Sequence, residues 1–199
     1  MKCEILKKSI KIFLKFGFKS TTMDDIANKM AISKKTIYKY FKNKEQLVDE
    51  SLSFFHEAIH TEVTTICNKG FNAIEENFEI KKMFKDLLQN SGESPMFQLQ
   101  KYYPETFKKV INNEFAMFKD CISQNLKKGI QEGLYRNNLN INITTRFYFS
   151  LVFSVHDPNL FTNEDRTINQ LEIDALTYHT RAIATKKGIE ILEKQLEKL

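Results

Sequence analysis

Residues 20–47 of this chain read STTMDDIANKMAISKKTIYKYFKNKEQL, a pattern typical of two short helices joined by a tight turn. The first helix is expected to follow Thr22, because Thr22 and Asp25 match a capping box in which each side chain satisfies a backbone N–H. Residues 31–32 form the predicted turn, and Ser33 is a favourable N-cap for the second helix. The segment therefore predicts two helices that meet at an angle.

A third helix precedes these two and completes a small unit. We expect it to run from about Lys2 to Phe16, with apolar residues at helical spacing on one face, and to end at Gly17. Ile37 and Phe41, four residues apart, are expected to anchor the last of the three helices to the first two. The arrangement is a helix-turn-helix, in which the last helix enters the major groove of DNA.

Positive charge at the start of this last helix supports nucleic-acid binding. Lys34 and Lys35 lie where the helix dipole already leaves partial positive charge, so an anionic partner is expected to offset their repulsion. Up to Glu50 the chain has twelve Lys, no Arg and six Asp or Glu, a net charge of +6, whereas the remainder carries −1. All the positive excess thus lies in the first quarter, as expected of a phosphate-binding module, although a solvated lysine face has the same composition.

Polar side chains on the outer side of the unit are the predicted contacts with double-stranded DNA. Lys and hydroxyl groups suit phosphates, whereas Lys and Thr near the helix start can reach base edges. For the tyrosines, plain packing is the alternative interpretation. The predicted phosphate contacts are Lys34, Lys42, Lys44, Thr22 and Tyr38, the base-edge candidates are Lys35, Thr36 and Tyr40, and Ser33 and Lys39 complete the predicted interface.

Three groups of residues resemble the DNA-binding domain of TetR-type transcriptional regulators: Thr22-x-x-Asp25-Ile26-Ala27, residues 33–41 and Lys44-Glu45-Gln46-Leu47. The resemblance covers about the first fifty residues, and it departs from the family at Ala31, where Gly is usual. It implies a homodimer on a palindromic operator, a small-molecule effector in many members, and no cofactor. It also implies a repressor rather than an enzyme.

Composition favours an ordered all-α protein. With 42% hydrophobic and 28% charged residues, the 199-residue chain can bury a sizeable core, and six Gly and three Pro leave few helix breakers. We find neither a secretory signal nor an apolar run that could span a bilayer, and the odd, scattered cysteines (Cys3, Cys67 and Cys121) suggest no disulfide framework. We therefore predict a cytoplasmic protein with a helix-turn-helix domain at 1–46 and a helical regulatory and dimerisation domain at 47–199.

The larger domain is expected to consist of six or more helices. Helix 4 follows an Asn43 cap and joins the two domains. The clearest loop is 91–95, and Asn142 is the expected cap of an apolar helix that Asp157-Pro158 ends. The further helices are expected at about 72–89, up to about 102, 104–133, 143–155, 168–184 and from 186 to near the C-terminus.

The two helices at 143–155 and 168–184 are the predicted dimer interface, because a helix that is apolar on nearly all sides is either buried or shared with a partner. The alternative is that they lie inside a monomer's core. The predicted interface residues are Phe147, Phe149, Leu151, Val152, Leu171, Ala175, Leu176, His179 and Ile183.

Seventeen Phe and seven Tyr exceed what a minimal core needs, and they suggest a cavity for an apolar or aromatic effector in the middle helices. Plain packing is the alternative at each position. The predicted lining residues are Phe84, Leu88, Phe97, Tyr102, Phe107, Phe115 and Phe118.

A competing motif lies in the linking helix. His56-Glu57-Ala-Ile-His60 matches the H-E-x-x-H pattern of zinc peptidases, and Glu79 is a conceivable third ligand. The pattern fixes only three positions, and the chain lacks the strand-rich region of a peptidase cleft, so two surface histidines are the simpler interpretation. A zinc-dependent hydrolase and a ligand-independent DNA-binding adaptor therefore remain the alternatives to a ligand-responsive DNA-binding regulator.

Overall fold

Helices account for nearly all the regular structure in the described residues of the computed structural model, which are 1–88, 95–157, 159–161 and 166–199. Apart from an isolated bridge between Tyr135 and Ala184, those residues contain no β-structure. The all-α prediction is confirmed. The helices are α1 Lys2–Phe16, α2 Met23–Met30, α3 Lys34–Tyr38, α4 Lys44–Cys67, α5 Ala73–Leu88, α6 Pro95–Tyr102, α7 Pro104–Gln131, α8 Ile141–Ser154, α9 Ile168–Ile183 and α10 Lys186–Leu196.

Two helix boundaries differ from the prediction. α3 ends at Tyr38, although the backbone continues in a helical turn and the Phe41 N–H still donates to the Ile37 carbonyl at 3.1 Å. α8 begins at Ile141 because Asn140, rather than Asn142, caps it by accepting from the Ile143 N–H at 3.1 Å. Residues 91–94 of the predicted loop at 91–95 lie outside the described residues, and so does Pro158.

The chain packs as two units. Unit 1 comprises Met1–Glu62 and Leu87–Glu114, and unit 2 comprises Val63–Asp86 and Phe115–Leu199. α4, α5 and α7 each contribute residues to both units. The predicted domain boundary at residue 46 refers to the DNA-binding function and remains a prediction. Unit 1, which contains residues 1–46, also includes residues beyond that boundary.

The core of unit 1 holds the first three helices together. Ile26, Ile37 and Phe41 are at most 1% exposed, as the spacing of Ile37 and Phe41 predicts, and Phe13 stacks on Phe18 with ring centroids 5.4 Å apart. Leu99 of α6 is fully buried in the same core. Since burying such a side chain contributes about 1.5–3 kcal/mol, α6 is an integral part of the unit that carries the helix-turn-helix.

The core of unit 2 combines apolar residues with a buried polar network. Asn125 donates to the Glu76 carboxylate at 2.7 Å and to the Ala73 carbonyl at 2.8 Å, and the Tyr135 hydroxyl donates to Asn125 Oδ1 at 3.2 Å. Lys128 pairs with Glu76 at 2.7 Å, so that this buried charge is compensated. The network joins α5 to α7 and to the segment that follows α7.

Candidate nucleic-acid interface

The start of α2 is fixed by the predicted capping box. The Asp25 N–H donates to Thr22 Oγ1 at 3.1 Å, and Asp25 Oδ2 accepts from both the Thr22 N–H at 2.8 Å and its hydroxyl at 2.7 Å. The side-chain hydrogen bond from Thr22 lowers the pKa of the exposed Asp25 carboxyl. The Thr22 N–H and hydroxyl therefore both already donate to Asp25. A phosphate bound by Thr22 would have to share one of these donors with the Asp25 carboxylate.

The turn between α2 and α3 depends on a left-handed Ala31. Its φ of 54° is the only positive φ of a non-glycine residue in the described backbone. The Ile32 N–H donates to the Ala27 carbonyl at 3.0 Å and closes the end of α2. Ala31 therefore keeps the left-handed turn although Gly is usual at this position in the family. Its Cβ makes this conformation sterically unfavourable.

Replacing Ala31 with Gly is expected to raise the stability of the chain. The left-handed conformation of a non-glycine residue destabilises the fold by about 1–2 kcal/mol. Gly relieves this strain, but its greater flexibility in the unfolded chain offsets part of the gain, so the free energy of unfolding is expected to rise by about 0.5–1 kcal/mol. Thermal and denaturant unfolding would measure it. The matched control is Ala27→Gly, within α2, which should lower stability by a similar amount; a loss of stability in Ala31→Gly would contradict the strain argument.

The start of α3 presents its first turn to solvent. Ser33 caps the helix by accepting from the Thr36 N–H at 3.0 Å, and the two hydroxyls are hydrogen bonded at 2.8 Å. Lys34 pairs with Asp24 of α2 at 2.7 Å, and this hydrogen bond raises the pKa of Lys34. The predicted phosphate ligand Lys34 thus already has a carboxylate partner in the free protein.

Most of the other predicted contacts of α3 and its following turn are exposed. Tyr38 is 46% exposed and Tyr40 is 39% exposed, so the structure does not favour their packing as core residues. Thr36 is half-buried behind the cap. Exposed lysines occupy the remaining predicted positions in this segment, Lys35, Lys39 and Lys42.

Lys44 differs from the other predicted contacts because its side chain turns back onto unit 1. Its ammonium donates to the Lys19 carbonyl at 3.0 Å and lies 5.8 Å from the centroid of the Tyr103 ring. Burial lowers the pKa of Lys44. The predicted cap of α4 is confirmed, with the Gln46 N–H donating to Asn43 Oδ1 at 2.8 Å. At Lys44, the backbone N–H at the ordered start of α4 is therefore more available to a phosphate than the side-chain ammonium is.

A contact that the sequence did not predict joins α6 to the linker between α1 and α2. Gly17 has a φ of 91°, and a Cβ there would lie only 2.5 Å from the Gln98 side-chain oxygen. The Tyr103 hydroxyl donates to the Phe18 carbonyl at 3.4 Å. Lys19 donates to the Tyr102 hydroxyl at 3.3 Å and lies 4.4 Å from its ring centroid. α6 is thus held directly against the segment that positions α2.

Replacing Asp24 with Asn is expected to tighten DNA binding, because it removes the carboxylate that competes with phosphate for Lys34. Exposed pairs of this kind are weak, so a dimer that loses the competing carboxylate in both protomers should gain roughly 2-fold to 30-fold in affinity. Fluorescence anisotropy with a labelled duplex would measure it. Asp49→Asn is the charge-matched control, since Asp49 pairs with Lys109 instead; weaker binding by Asp24→Asn would show that Asp24 orients Lys34 for DNA.

The predicted dimer-interface residues divide into two groups. Phe147 is 71% exposed, and Phe149, Leu151, Val152 and Leu171 are half-buried. The other four are buried within unit 2 itself, where their side chains leave little surface for a partner, and their role in an interface stays a prediction. They are Ala175, Leu176, His179 and Ile183. Tyr178 of α9, which lies between these buried residues in the sequence, is 71% exposed.

His179 is packed inside unit 2. Its ring stacks on that of Tyr148 with centroids 3.9 Å apart and an interplanar angle of 9°. Burial lowers the pKa of His179 to about 4, so the imidazole is neutral at physiological pH. This histidine belongs to the core of unit 2.

The predicted effector-pocket residues belong to different parts of the structure. In unit 1, Phe107 packs against the apolar core, while Phe97 and Tyr102 are exposed on α6. In unit 2, Phe115 and Phe118 make edge-to-face contacts with Phe149, at centroid distances of 4.7 and 5.2 Å. Phe84 is half-buried in unit 2, and the side chain of Leu88 lies outside what the structure describes.

The described residues do not support a metal site at the histidine motif. Among the described residues, no three or more His, Cys, Asp or Glu side chains are grouped so that they could hold a metal ion. His56 is half-buried and His60 is exposed on α4. The described helices also include none that is long and apolar enough to cross a membrane.

The geometry defines a helix-turn-helix protein whose capped α3 exposes lysines and tyrosines. Residues 5–51 match the family described as bacterial regulatory proteins, tetR family. Over 46 residues the chain is 52% identical to the uncharacterized HTH-type transcriptional regulator YhgD of Bacillus subtilis, covering 23% of this chain and 24% of that regulator. It is 27% identical over 158 residues to the HTH-type transcriptional repressor KstR2 of Mycobacterium tuberculosis, covering 72% of this chain and 74% of the repressor.

Solved structures extend the likeness to the whole fold. The ketosteroid transcriptional regulator KstR2 of M. tuberculosis matches with a TM-score of 0.62 and 19% identity over 93% of this chain and 95% of that one. FadR of B. subtilis in complex with stearoyl-CoA matches with a TM-score of 0.64 and 19% identity over 88% and 96%. The match of residues 5–51 confirms that the first fifty residues resemble the DNA-binding domain of TetR-type transcriptional regulators.

Proposed function

We propose that this chain is a cytoplasmic, homodimeric repressor that binds a palindromic operator and is released from it by a small apolar or aromatic effector. The observation that carries the DNA-binding part is the exposed face of α3, where Lys35, Tyr38 and Tyr40 surround a capped helix start. An α-helix fits the major groove, and its first residues contact base edges.

Sequence preference in this interface is expected to depend on lysine, threonine and tyrosine. Because residues 1–50 contain no Arg, no forked guanidinium contact to guanine can form from this unit. Lys35 is the best candidate for guanine acceptors, and the Thr36 methyl for thymine. Lys34, Lys42 and the N–H groups at the start of α4 are the proposed phosphate contacts, which fix the register without reading sequence.

The proposed dimer interface consists of exposed apolar residues on α8 and α9. Ile143 is 43% exposed and Phe147 is 71% exposed, four residues apart on α8, and α9 adds Tyr178. α8 and α9 pack against each other, so that two such pairs can form a four-helix interface around a two-fold axis. A homodimer presents two copies of α3 to successive half-sites of a palindrome.

An apolar effector is proposed from the aromatic cluster of unit 2 and from the relatives. Phe115, Phe118 and Phe149 are in ring contact, and a ligand would have to part or replace these contacts. The ketosteroid regulator and the stearoyl-CoA complex, both of similar fold, support an effector of this chemical class. An effector that prefers a conformation in which α3 is misplaced lowers DNA affinity in proportion to that preference.

α6 and α4 are the elements through which such a change would reach the DNA-binding helices. α6 contacts the linker at Gly17–Lys19, and α4 follows directly after α3. Movement of either helix therefore acts on the position of α2 and α3. Phe97 and Tyr102 on α6, two of the predicted lining residues, are exposed in this structure.

Selection of duplexes from a random pool by the purified protein, followed by footprinting, tests the DNA-binding part. We expect a palindromic site whose half-sites lie about one helical turn apart, and an affinity that falls steeply with salt. Absence of binding to any duplex at low ionic strength would refute it. Thermal shift with a steroid and with a long-chain acyl-CoA tests the effector part; a stabilised protein that also loses the duplex is the expected result. A protein that binds the duplex but responds to neither compound would favour the ligand-independent adaptor.

The hydrolase alternative has its own readout. The purified protein would have to contain zinc at about one ion per chain and to lose peptidase activity on chelation. His60→Ala would abolish that activity. DNA binding without bound zinc favours the regulator.

A further inference from the structure

Three buried polar side chains lie close together in unit 2, outside the polar network of Glu76 and Asn125. Tyr148 on α8 and His179 on α9 are 8% and 6% exposed, and their rings stack with centroids 3.9 Å apart. Thr145 is fully buried and lies three residues before Tyr148 in α8, so that these two side chains are neighbours on one face of the helix. We call Thr145, Tyr148 and His179 the α8–α9 polar cluster.

The α8–α9 polar cluster has hydrogen-bonding groups without partners. Thr145 Oγ1 is buried and has no hydrogen-bond partner among the described residues, and the other side-chain hydroxyls in that state, Ser9 and Ser51, belong to unit 1. In the part of the chain that the structure describes, neither the Tyr148 hydroxyl nor the His179 ring nitrogens form a hydrogen bond, although the two rings stack. Such groups are rare in folded proteins, because they have lost hydrogen bonds to water without replacing them. A ligand that brings a polar group to this cluster would supply the missing partners.

The α8–α9 polar cluster adjoins the aromatic residues that are proposed to receive the effector. The Tyr148 ring lies with its centroid 5.4 Å from that of Phe118, and Phe118 contacts Phe149 at 5.2 Å. A ligand that parts or replaces the contacts among these phenylalanine rings therefore comes to lie beside Tyr148. Apolar ligand sites commonly combine such an aromatic lining with a small number of polar groups that fix the orientation of the ligand.

We propose that Thr145, Tyr148 and His179 form a polar subsite that recognises one uncharged oxygen, a ketone or a hydroxyl, on an otherwise apolar effector. This inference rests on the effector-responsive function proposed above and specifies the chemical class of the effector. A ketone oxygen accepts from the threonine or tyrosine hydroxyl, and a ligand hydroxyl donates to the imidazole lone pair. The aromatic rings bind the apolar part of the ligand, while the subsite selects for the oxygen.

The electrostatics of the cluster favour an uncharged ligand group over an acid. Burial lowers the pKa of His179 to about 4, while burial, followed by the charges of Cys121 and Glu172, raises the pKa of Tyr148. Both rings are therefore neutral at physiological pH, and none of the three side chains supplies a positive charge. A carboxylate would lose its hydration at this site without a cation to pair with, and the charge of Glu172 would add repulsion.

The melting temperature of Thr145→Val tests the unused hydroxyl in the full-length protein without ligand. Valine keeps the shape of threonine and removes a buried hydroxyl that has no partner, so the melting temperature is expected to rise by about 2 °C or more. Thr180→Val is the matched control, since Thr180 is also buried in unit 2 but its hydroxyl donates to the Leu176 carbonyl at 2.8 Å. This control is not expected to melt above the wild type. If Thr145→Val failed to melt above the wild type, the proposal would be overturned.

Binding of naphthol, methylnaphthalene and naphthoate, each substituted at the same ring position, tests the recognition of the oxygen. The chain contains no Trp, so naphthalene emission can report binding. The wild-type protein is expected to bind naphthol about fivefold or more tightly than methylnaphthalene, and naphthoate more weakly than either. Thr145→Val and His179→Phe should each reduce the preference for naphthol while retaining the affinity for methylnaphthalene.

The same titrations show which results would overturn the subsite. They are a naphthol preference that persists in both variants, tighter binding of naphthoate than of naphthol, or no binding of naphthol by the wild-type protein. Because neither measurement involves DNA, failure of the proposed function is separable. A naphthol preference that depends on the cluster, in a protein that naphthol does not release from its duplex, would keep the subsite and count against effector control. Release by an effector whose affinity is unchanged in Thr145→Val and His179→Phe would do the reverse.

Discussion

Replacing Phe147 with Asp is expected to leave the chain monomeric. The Phe147 side chain is 71% exposed on α8, and its complete burial against a partner would contribute about 1.5–3 kcal/mol. A two-fold interface contains the residue twice, so that losing both contacts weakens dimerisation by roughly 10²-fold to 10⁴-fold, before the cost of burying two carboxylates. Sedimentation velocity over a range of concentrations would measure the dissociation constant.

The same variant is expected to lose most of its affinity for a palindromic operator. A monomer engages one half-site, whereas a dimer binds the second half-site at a high effective concentration, so that a loss of about 100-fold or more is expected. Phe16→Asp is the matched control, since Phe16 is an aromatic residue of α1 that is 48% exposed in unit 1. Its dimer should persist. If Phe147→Asp also remained dimeric, the interface could not depend on this face of α8.

The helix-turn-helix was predictable because its signals are local. The box formed by Thr22 and Asp25, the Ser33 cap and the Ile37–Phe41 spacing each lie within a few residues, and all appear in the structure. Local hydrogen bonds of this kind depend on residue type and spacing alone. The left-handed turn at Ala31 could be anticipated only from the resemblance, because Ala by itself does not indicate a positive φ.

Contacts between distant segments could not be predicted from the sequence. Lys34 was chosen as a phosphate ligand because of its position, but its partner Asp24 lies one helix earlier, and Lys44 turns toward the carbonyl of Lys19. The placement of α6 in unit 1 depends on Leu99, which looks like any apolar helix residue in the sequence. Such pairings are set by tertiary packing, which periodicity does not encode.

The residues that were predicted for a dimer interface show the limit of periodicity most clearly. A run of apolar residues on α9 indicates burial but not which side of the helix faces its own core. Leu176 and Ile183 are buried within unit 2, whereas Tyr178, between them in the sequence, is 71% exposed. Helical periodicity separates the two faces of α9 but does not say which of them is buried, so the fold was needed to distinguish core residues from exposed ones.

Replacing Lys35 with Glu is expected to abolish specific operator binding. Lys35 is exposed in the first turn of α3, where it can reach guanine acceptors in the major groove, and one good base contact contributes about 1–3 kcal/mol. Because a homodimer makes the contact twice, affinity for the selected palindrome should fall by roughly 30-fold to 10⁴-fold. Anisotropy titrations at several salt concentrations would measure the loss.

A matched pair of variants separates the base contact from general electrostatics. Lys8→Glu makes the same change in net charge on an exposed position of α1, and we expect it to cost far less affinity than Lys35→Glu. Lys35→Met removes the charge while keeping an unbranched side chain of similar length, and we expect relaxed preference at one base pair of each half-site with little change at the others. Equal losses in Lys8→Glu and Lys35→Glu would mean that net charge alone drives binding. An unaltered base preference in Lys35→Met would assign the reading of that base pair to Thr36 or Tyr40 instead.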